Sequence, residues 1–138
     1  MPDAVETLTE SDRQWLTELE QHGLKRLRDY LGDNIKLVRE VADLKRVQFM
    51  LDDGVFDAEG SDDLFSFGVI LGNVFHAQTS MKWAVVINDF GRKIAVHDPA
   101  ISFTLYPVQM IDKRVRDGRE VQVLDLYQSF VRDLAIGG

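Results

Sequence analysis

The sequence predicts an α+β domain: a three-stranded antiparallel meander packed on a buried central helix, with two helices ahead of that unit and two behind it. Three observations carry this. Apolar residues recur at helical spacing in two stretches before position 54 and two after position 106. Residues 62–78 are apolar on nearly every side, which marks a helix enclosed by its neighbours. From Lys82 the period changes from 3.6 to 2, the alternation of strands.

A chain of 138 residues, 45% hydrophobic and 28% charged, forms one domain over residues 1–138. Within it the periods separate an N-terminal helical pair, 1–53, from a helix, a three-stranded sheet and two helices over 61–135. A chain of this length buries roughly 68% of its unfolded surface and needs no metal or disulfide staple. Zero cysteines exclude a disulfide framework, a thiolate zinc site and a cysteine nucleophile. The first twenty residues carry six acids and no apolar stretch, and the longest apolar run is Trp83 to Ile87. Neither a signal peptide nor a membrane span is expected, so the expected location is the cytoplasm.

Each element has its own signal. From Thr9 to Leu31 the residues Leu16, Leu19, Leu24, Leu27, Tyr30 and Leu31 share one helical face, with Trp15 at its margin. Gly23 sits inside that stripe, where a neighbour approaches closely or the helix bends, and Gly32 ends it. A second helical pattern, Val38, Val41, Leu44, Val47, Gln48 and Leu51, stops at Gly54. Six acids and no base follow between Asp52 and Asp63, but no glycine falls in the frame of an EF-hand. The segment reads as a solvated loop whose Ser61 caps the next helix, with Asp62 and Asp63 at its positive end. In that helix Gly68 and Gly72 mark close approach of a neighbour. Strands are expected at Lys82–Asn88, Arg92–His97 and Ile101–Leu105, joined by Asp89-Phe90-Gly91 and by a break at Asp98-Pro99. Pro107 suits the first turn of a helix running to Gly118 on Val108, Ile111 and Val115. The last helix, Val123 to Leu134, turns Leu124, Tyr127, Phe130, Val131 and Leu134 inward, and Gly137 and Gly138 form a frayed end.

Charge is uneven along the chain. The net charge is −7, yet residues 1–69 hold sixteen acids and eight bases while residues 70–138 hold seven and eight. An acidic field repels phosphate, so nucleic-acid binding is not expected. The polarity fits self-association with the halves facing each other, or serves solubility alone.

Candidates for chemistry are few, because there are three histidines. His22 reads as a solvated residue, and His76 as a half-buried one bonded to backbone. His97 has neighbours of interest: Asp98 follows it, and either Ser102 or Thr104 lies across from it on the polar sheet face. A Ser102, His97 and Asp98 trio would make a small hydrolase, but no GxSxG elbow or glycine-rich oxyanion segment supports it. His97 and Asp98 lack a third ligand for a metal. Phosphate loops of the GxxxxGK[ST] and GxGxxG types are absent, so no cofactor is expected. Lys93 on the polar sheet face and Lys113, Arg114 and Arg116 on the fourth helix are the candidate binding residues.

Three stretches in order, FGVILGNVF, WAVVINDFGRKIAV and YPVQMIDKRVRDGREVQVLDLY, resemble the bacterial domain-of-unknown-function family 3806 over residues 67–134. The resemblance implies a small bacterial cytoplasmic module and assigns no activity, cofactor or site residue. The expected function is a non-enzymatic binding or protein-interaction module, with a protein partner or a second copy as its target. The alternative is a small hydrolase or ligand-binding enzyme using His97, Asp98 and Ser102.

Overall fold

Residues 63–78 organise the molecule, because a helix with so few polar positions has to be covered on all sides. The computed structural model describes residues 3–59 and 62–137. In chain order the elements are β1 (Ala4–Glu6), α1 (Glu10–Leu31), α2 (Val41–Asp52), α3 (Asp63–Gln78), β2 (Lys82–Asn88), β3 (Gly91–Asp98), β4 (Phe103–Leu105), α4 (Pro107–Arg116) and α5 (Val123–Gly137). The fold is α+β, with five helices and one antiparallel sheet among the described residues.

Helix α3 is buried continuously from Ser66 to Phe75. One side packs Phe67, Ile70, Leu71, Val74 and Phe75 with Leu44, Val47 and Met50 of α2 and Tyr127 and Leu134 of α5. The Phe75 ring lies 4.9 Å from that of Tyr127 and 6.4 Å from that of Phe130. The other side sets Val69 against Leu16 and Leu19 of α1 and Val108 of α4. Gly68 and Gly72 work as close-approach positions. A methyl at Gly68 would run into the carbonyl oxygens of Pro107 and Val108, and one at Gly72 into the Trp83 ring. At Gly23 the approaching element is α3, since a Cβ there would lie 3.0 Å from Ile70 Cδ1 and 3.1 Å from Ser66 Oγ.

The sheet has four strands in the order β1-β2-β3-β4, one more than the expected meander. The extra strand pairs Ala4, Val5 and Glu6 with Ile87, Val86 and Val85. It is three exposed residues on an edge, too short and too wet to show an apolar alternation. Strand β4 begins at Phe103 instead of Ile101, because residues 99–102 form the turn and Ser102 takes a positive φ of 53° within it. The β2–β3 hairpin turns on Asp89-Phe90, with Gly91 at φ 111° and the Asn88 side chain accepting from the Phe90 amide at 2.9 Å.

Helix boundaries follow their caps. Thr9 and Asp12 form a reciprocal capping box on α1, with bonds of 2.8 and 3.1 Å. Helix α2 starts at Val41, three residues later than its apolar pattern. The buried carboxylate of Asp43 takes the amides of Val38 and Arg39, which stops those residues from joining the helix. Val38 is consequently exposed, and at the end of α1 Tyr30 and Leu31 are exposed as well. In α5 it is Val123 that is fully buried, while Leu124 is half-buried and the helix continues through Gly137. The expected Ser61 cap and the end at Gly138 lie outside the described residues.

Candidate functional site

The hydrolytic trio does not assemble. His97 faces Thr104, not Ser102, in the β3–β4 register, and its Nδ1 lies 2.8 Å from Thr104 Oγ1. The late start of β4 shifts Ser102 into the turn, where it is exposed. Asp98 points to the opposite face from His97, as neighbours on a strand do. Its carboxylate is buried, accepting from Ser80 Oγ at 2.5 Å and from the Ala100 amide at 2.9 Å. These bonds from Ser80 and the Ala100 amide hold its pKa below the usual carboxylate value. Asp98 therefore secures the turn and the α3–β2 connection.

Three of the four candidate cations do converge. Lys93 from β3 and Lys113 and Arg114 from α4 line one groove of about 370 Å³ with Leu105, Tyr106 and Met110. Proline at the start of α4 fixes the helix entry directly after β4, so one face of α4 lies beside the outer end of the sheet. Lys93 Nζ stands 5.7 Å from the Tyr106 ring centroid, within cation–π range. Arg114 is half-buried, and its Nη1 reaches only the Met110 carbonyl at 3.3 Å. Burial, with Arg119 nearby, lowers its pKa from the usual arginine value. Among the described residues none of these three cations forms an ion pair. Arg116 does not join them; its Nε is held by Asp112 at 2.9 Å one turn back.

A second concavity, of about 390 Å³, opens between α1, the Arg39 segment and the α3–β2 junction. The sequence signalled only its His76, and as a structural residue. That part holds: His76 Nδ1 accepts the Trp83 amide at 3.0 Å. Burial, with Lys82 and Arg39 close by, lowers its pKa from the usual histidine value. Around it a chain of bonds runs from Trp83 Nε1 to Asn73 Oδ1 at 2.9 Å and from Asn73 Nδ2 to Glu20 at 2.5 Å. Arg39 Nη2 then reaches both Glu20 oxygens at 3.2 and 3.3 Å.

Residues 43–127 match the family described as Domain of unknown function (DUF3806). The chain belongs to that family. The match begins inside α2, well ahead of the stretch over which the motifs were legible, and ends in α5. No curated protein matches the chain. Similar in fold is a 1.50 Å crystal structure from Bacteroides thetaiotaomicron VPI-5482, with a TM-score of 0.81 at 16% identity. The match covers 95% of this chain and 48% of that one, so the chain spans about half the length of that structure. Likeness at this identity shows a shared fold.

In this DUF3806 chain the remaining charged clusters serve packing. His22 is half-buried, not solvated: its Nε2 lies 2.6 Å from Asp63, where Arg26 also contributes at 3.3 Å. Asp63 is buried at the first turn of α3 and accepts the Asp57 amide at 2.8 Å, tying the acidic loop to α1 and α3. Across the molecule Arg92 grips Asp12 through both guanidinium nitrogens at 2.9 and 2.5 Å, joining β3 to the start of α1. Among the described residues no three His, Asp or Glu side chains are placed to hold a metal ion. No described helix is long and apolar enough to cross a membrane.

Proposed function

We propose that this protein is a non-catalytic interaction module that takes an acidic segment of a partner protein in the groove between the β3–β4 edge and α4. One observation carries the reading: in a chain of net charge −7, Lys93, Lys113 and Arg114 surround a groove whose lining contains no acid. Cations left without carboxylate partners over an apolar floor of Leu105, Tyr106 and Met110 suit a ligand bearing carboxylates beside an aliphatic or aromatic side chain. A polyanion such as nucleic acid suits it less, since the rest of the molecule would repel an extended phosphate chain. Arg114 supplies a planar fork for a carboxylate, while Lys93 and Lys113 add point charge at the rim. Such a module belongs in a bacterial cytoplasm, the setting that the family resemblance implies.

The test is titration of a fluorescein-labelled peptide that alternates Glu with Leu and Phe, read by anisotropy, against a Lys-for-Glu counterpart. Binding of the acidic peptide alone is expected, weakened at least about tenfold by Lys93→Glu with Lys113→Glu. Equal affinity of the doubly reversed variant would remove the groove from consideration. Sedimentation velocity separates the remaining occupant: a mass that rises with concentration in the native chain and not in Lys113→Glu would identify a second copy.

A further inference from the structure

We propose that the cleft lined by Arg13, Thr17, Glu20, Arg39, His76 and Trp83 is a separate binding site for a small organic monoanion, a carboxylate carrying an apolar flank. The chemistry of the lining sets the class of ligand. Because the Trp83 amide can only donate, His76 Nδ1 must accept, and the ring proton of the neutral imidazole then sits on Nε2. His76 thus contributes an N–H donor and no base on that edge. Arg13 and Arg39 are two permanent cations. Glu20 is the one acid of the lining, and its oxygens are already taken by Arg39 and Asn73. Two guanidiniums against one carboxylate leave a single unmatched positive charge. Leu8, Leu16 and the Trp83 ring form the apolar side, and the cavity of about 390 Å³ falls in the size range of small-molecule sites.

The lining is also held in place before any ligand arrives. Asn73 is buried at a helix position that could have been apolar, and its amide uses both ends, one fixing the Trp83 indole and the other Glu20. Arg39 adopts a φ of 60°, uncommon for a residue with a long side chain. That conformation is maintained from two sides: the Arg39 amide donates to Asp43 at 2.7 Å, and its carbonyl accepts from Gln78 at 2.9 Å. The result is to aim the Arg39 guanidinium back toward α1 instead of into solvent along α2. Backbone strain kept at a residue that completes a cleft is the pattern of a preorganised binding position. The groove used for the proposed function shares none of these residues.

The experiment follows the Trp83 indole N–H in the ¹⁵N-labelled full chain while phenylacetate, benzoate and hexanoate are titrated in, each to about 10 mM, with phenylacetamide as the uncharged isostere. At least one carboxylate is expected to shift the Trp83 signal saturably, and phenylacetamide to bind at least about tenfold more weakly. Arg13→Gln should reduce the carboxylate affinity several-fold while the Trp15 indole signal and the melting temperature stay in place; His76→Phe should reduce it as well, with a lower melting temperature because the Trp83 amide loses its acceptor. Thr17→Val gives a milder variant if His76→Phe disturbs the fold. Lys113→Glu should leave the titration unchanged, which separates this site from the groove. If no carboxylate shifts Trp83, or if phenylacetamide binds as well as phenylacetate, the proposal is overturned.

Discussion

Replacing Gly68 by alanine tests the packing that positions both concavities. Inside a helix the exchange alone stabilises by about 1 kcal/mol, because glycine loses more backbone freedom on folding. Against this, the new methyl meets the carbonyl oxygens of Pro107 and Val108, both backbone atoms in the first turn of α4. To restore ordinary contact α4 has to retreat by roughly 1 Å. Val108 and Ile111, both fully buried, would lose contacts as it moves. Overpacking against rigid neighbours costs about 1–3 kcal/mol and occasionally more. With backbone as the obstacle the upper end applies, so a net loss of about 2 kcal/mol is expected, a fall in Tm of roughly 6–10 °C at this chain length. Thermal melts followed by circular dichroism, with urea midpoints beside them, measure it. Gly23→Ala is the internal comparison, because a methyl there meets side-chain atoms of Ile70 and Ser66 at 3.0–3.2 Å, where a shift of a few tenths of an ångström restores ordinary contact; its loss should stay at least about 1 kcal/mol below that of Gly68→Ala. A Gly68→Ala protein as stable as the native one would refute close packing of α3 on α4.

Two further perturbations address polar contacts. Asp43→Ala removes a buried carboxylate that accepts the amides of Val38 and Arg39, and should cost about 2–3 kcal/mol in urea unfolding; a loss below about 0.5 kcal/mol would show that the turn holds itself. Acid should destabilise the protein through Asp12 and Asp63. Arg92, opposed by burial and aided by Thr9, holds Asp12 well below its usual value of 3.8. For Asp63 burial works upward, but the Asp57 amide, His22 and Arg26 outweigh it and the pKa is lowered from 3.8. A carboxyl whose pKa is depressed in the folded state contributes stability that is fully present above its unfolded pKa, and loses it as the pH falls through the folded one. The urea midpoint should accordingly drop below about pH 4, and Arg92→Gln should flatten that drop; an identical acid slope in the variant would dismiss the Arg92–Asp12 link.

Which parts of this architecture could be read from residues alone follows from where the stabilising partner lies. Helix α3 was legible because its own composition demands cover on every side, and the glycines named the points of closest approach without naming the neighbour. The β2–β3 hairpin was legible because Asn88 through Gly91 encode their turn locally. Strand β1 was not, since Ala4–Glu6 is ordered by pairing with Val85, Val86 and Ile87, some eighty residues away, and its own side chains are exposed. The start of α2 failed for a related reason. The apolar spacing of Val38 continues the helical pattern, yet Asp43 offers its backbone an alternative set of hydrogen bonds, and an exposed valine has no burial to set against them.

The two concavities divide along the same line. Lys93, Lys113 and Arg114 stood out because unpaired basic residues in an acidic chain are visible as composition, and they meet because Pro107 turns the chain straight from β4 into α4. His97, Asp98 and Ser102 stood out only as residue types, and the spacing left Ser102 and Thr104 equally placed opposite His97; the register chooses Thr104 and leaves Ser102 in the turn. The His76 cleft was hidden because its members come from α1, the Arg39 turn, α3 and β2, and no two of them form a recognised spacing. What could have exposed it is a pair of anomalies: Asn73 in the middle of an otherwise apolar helix, and a polar stripe of Arg13, Thr17 and Glu20 recurring at helical spacing beside the buried face of α1. A buried amide is retained only where its hydrogen bonds are made. Asn73 makes its bonds to Glu20 and Trp83, so that one polar position in the core joins the central helix to both walls of the cleft.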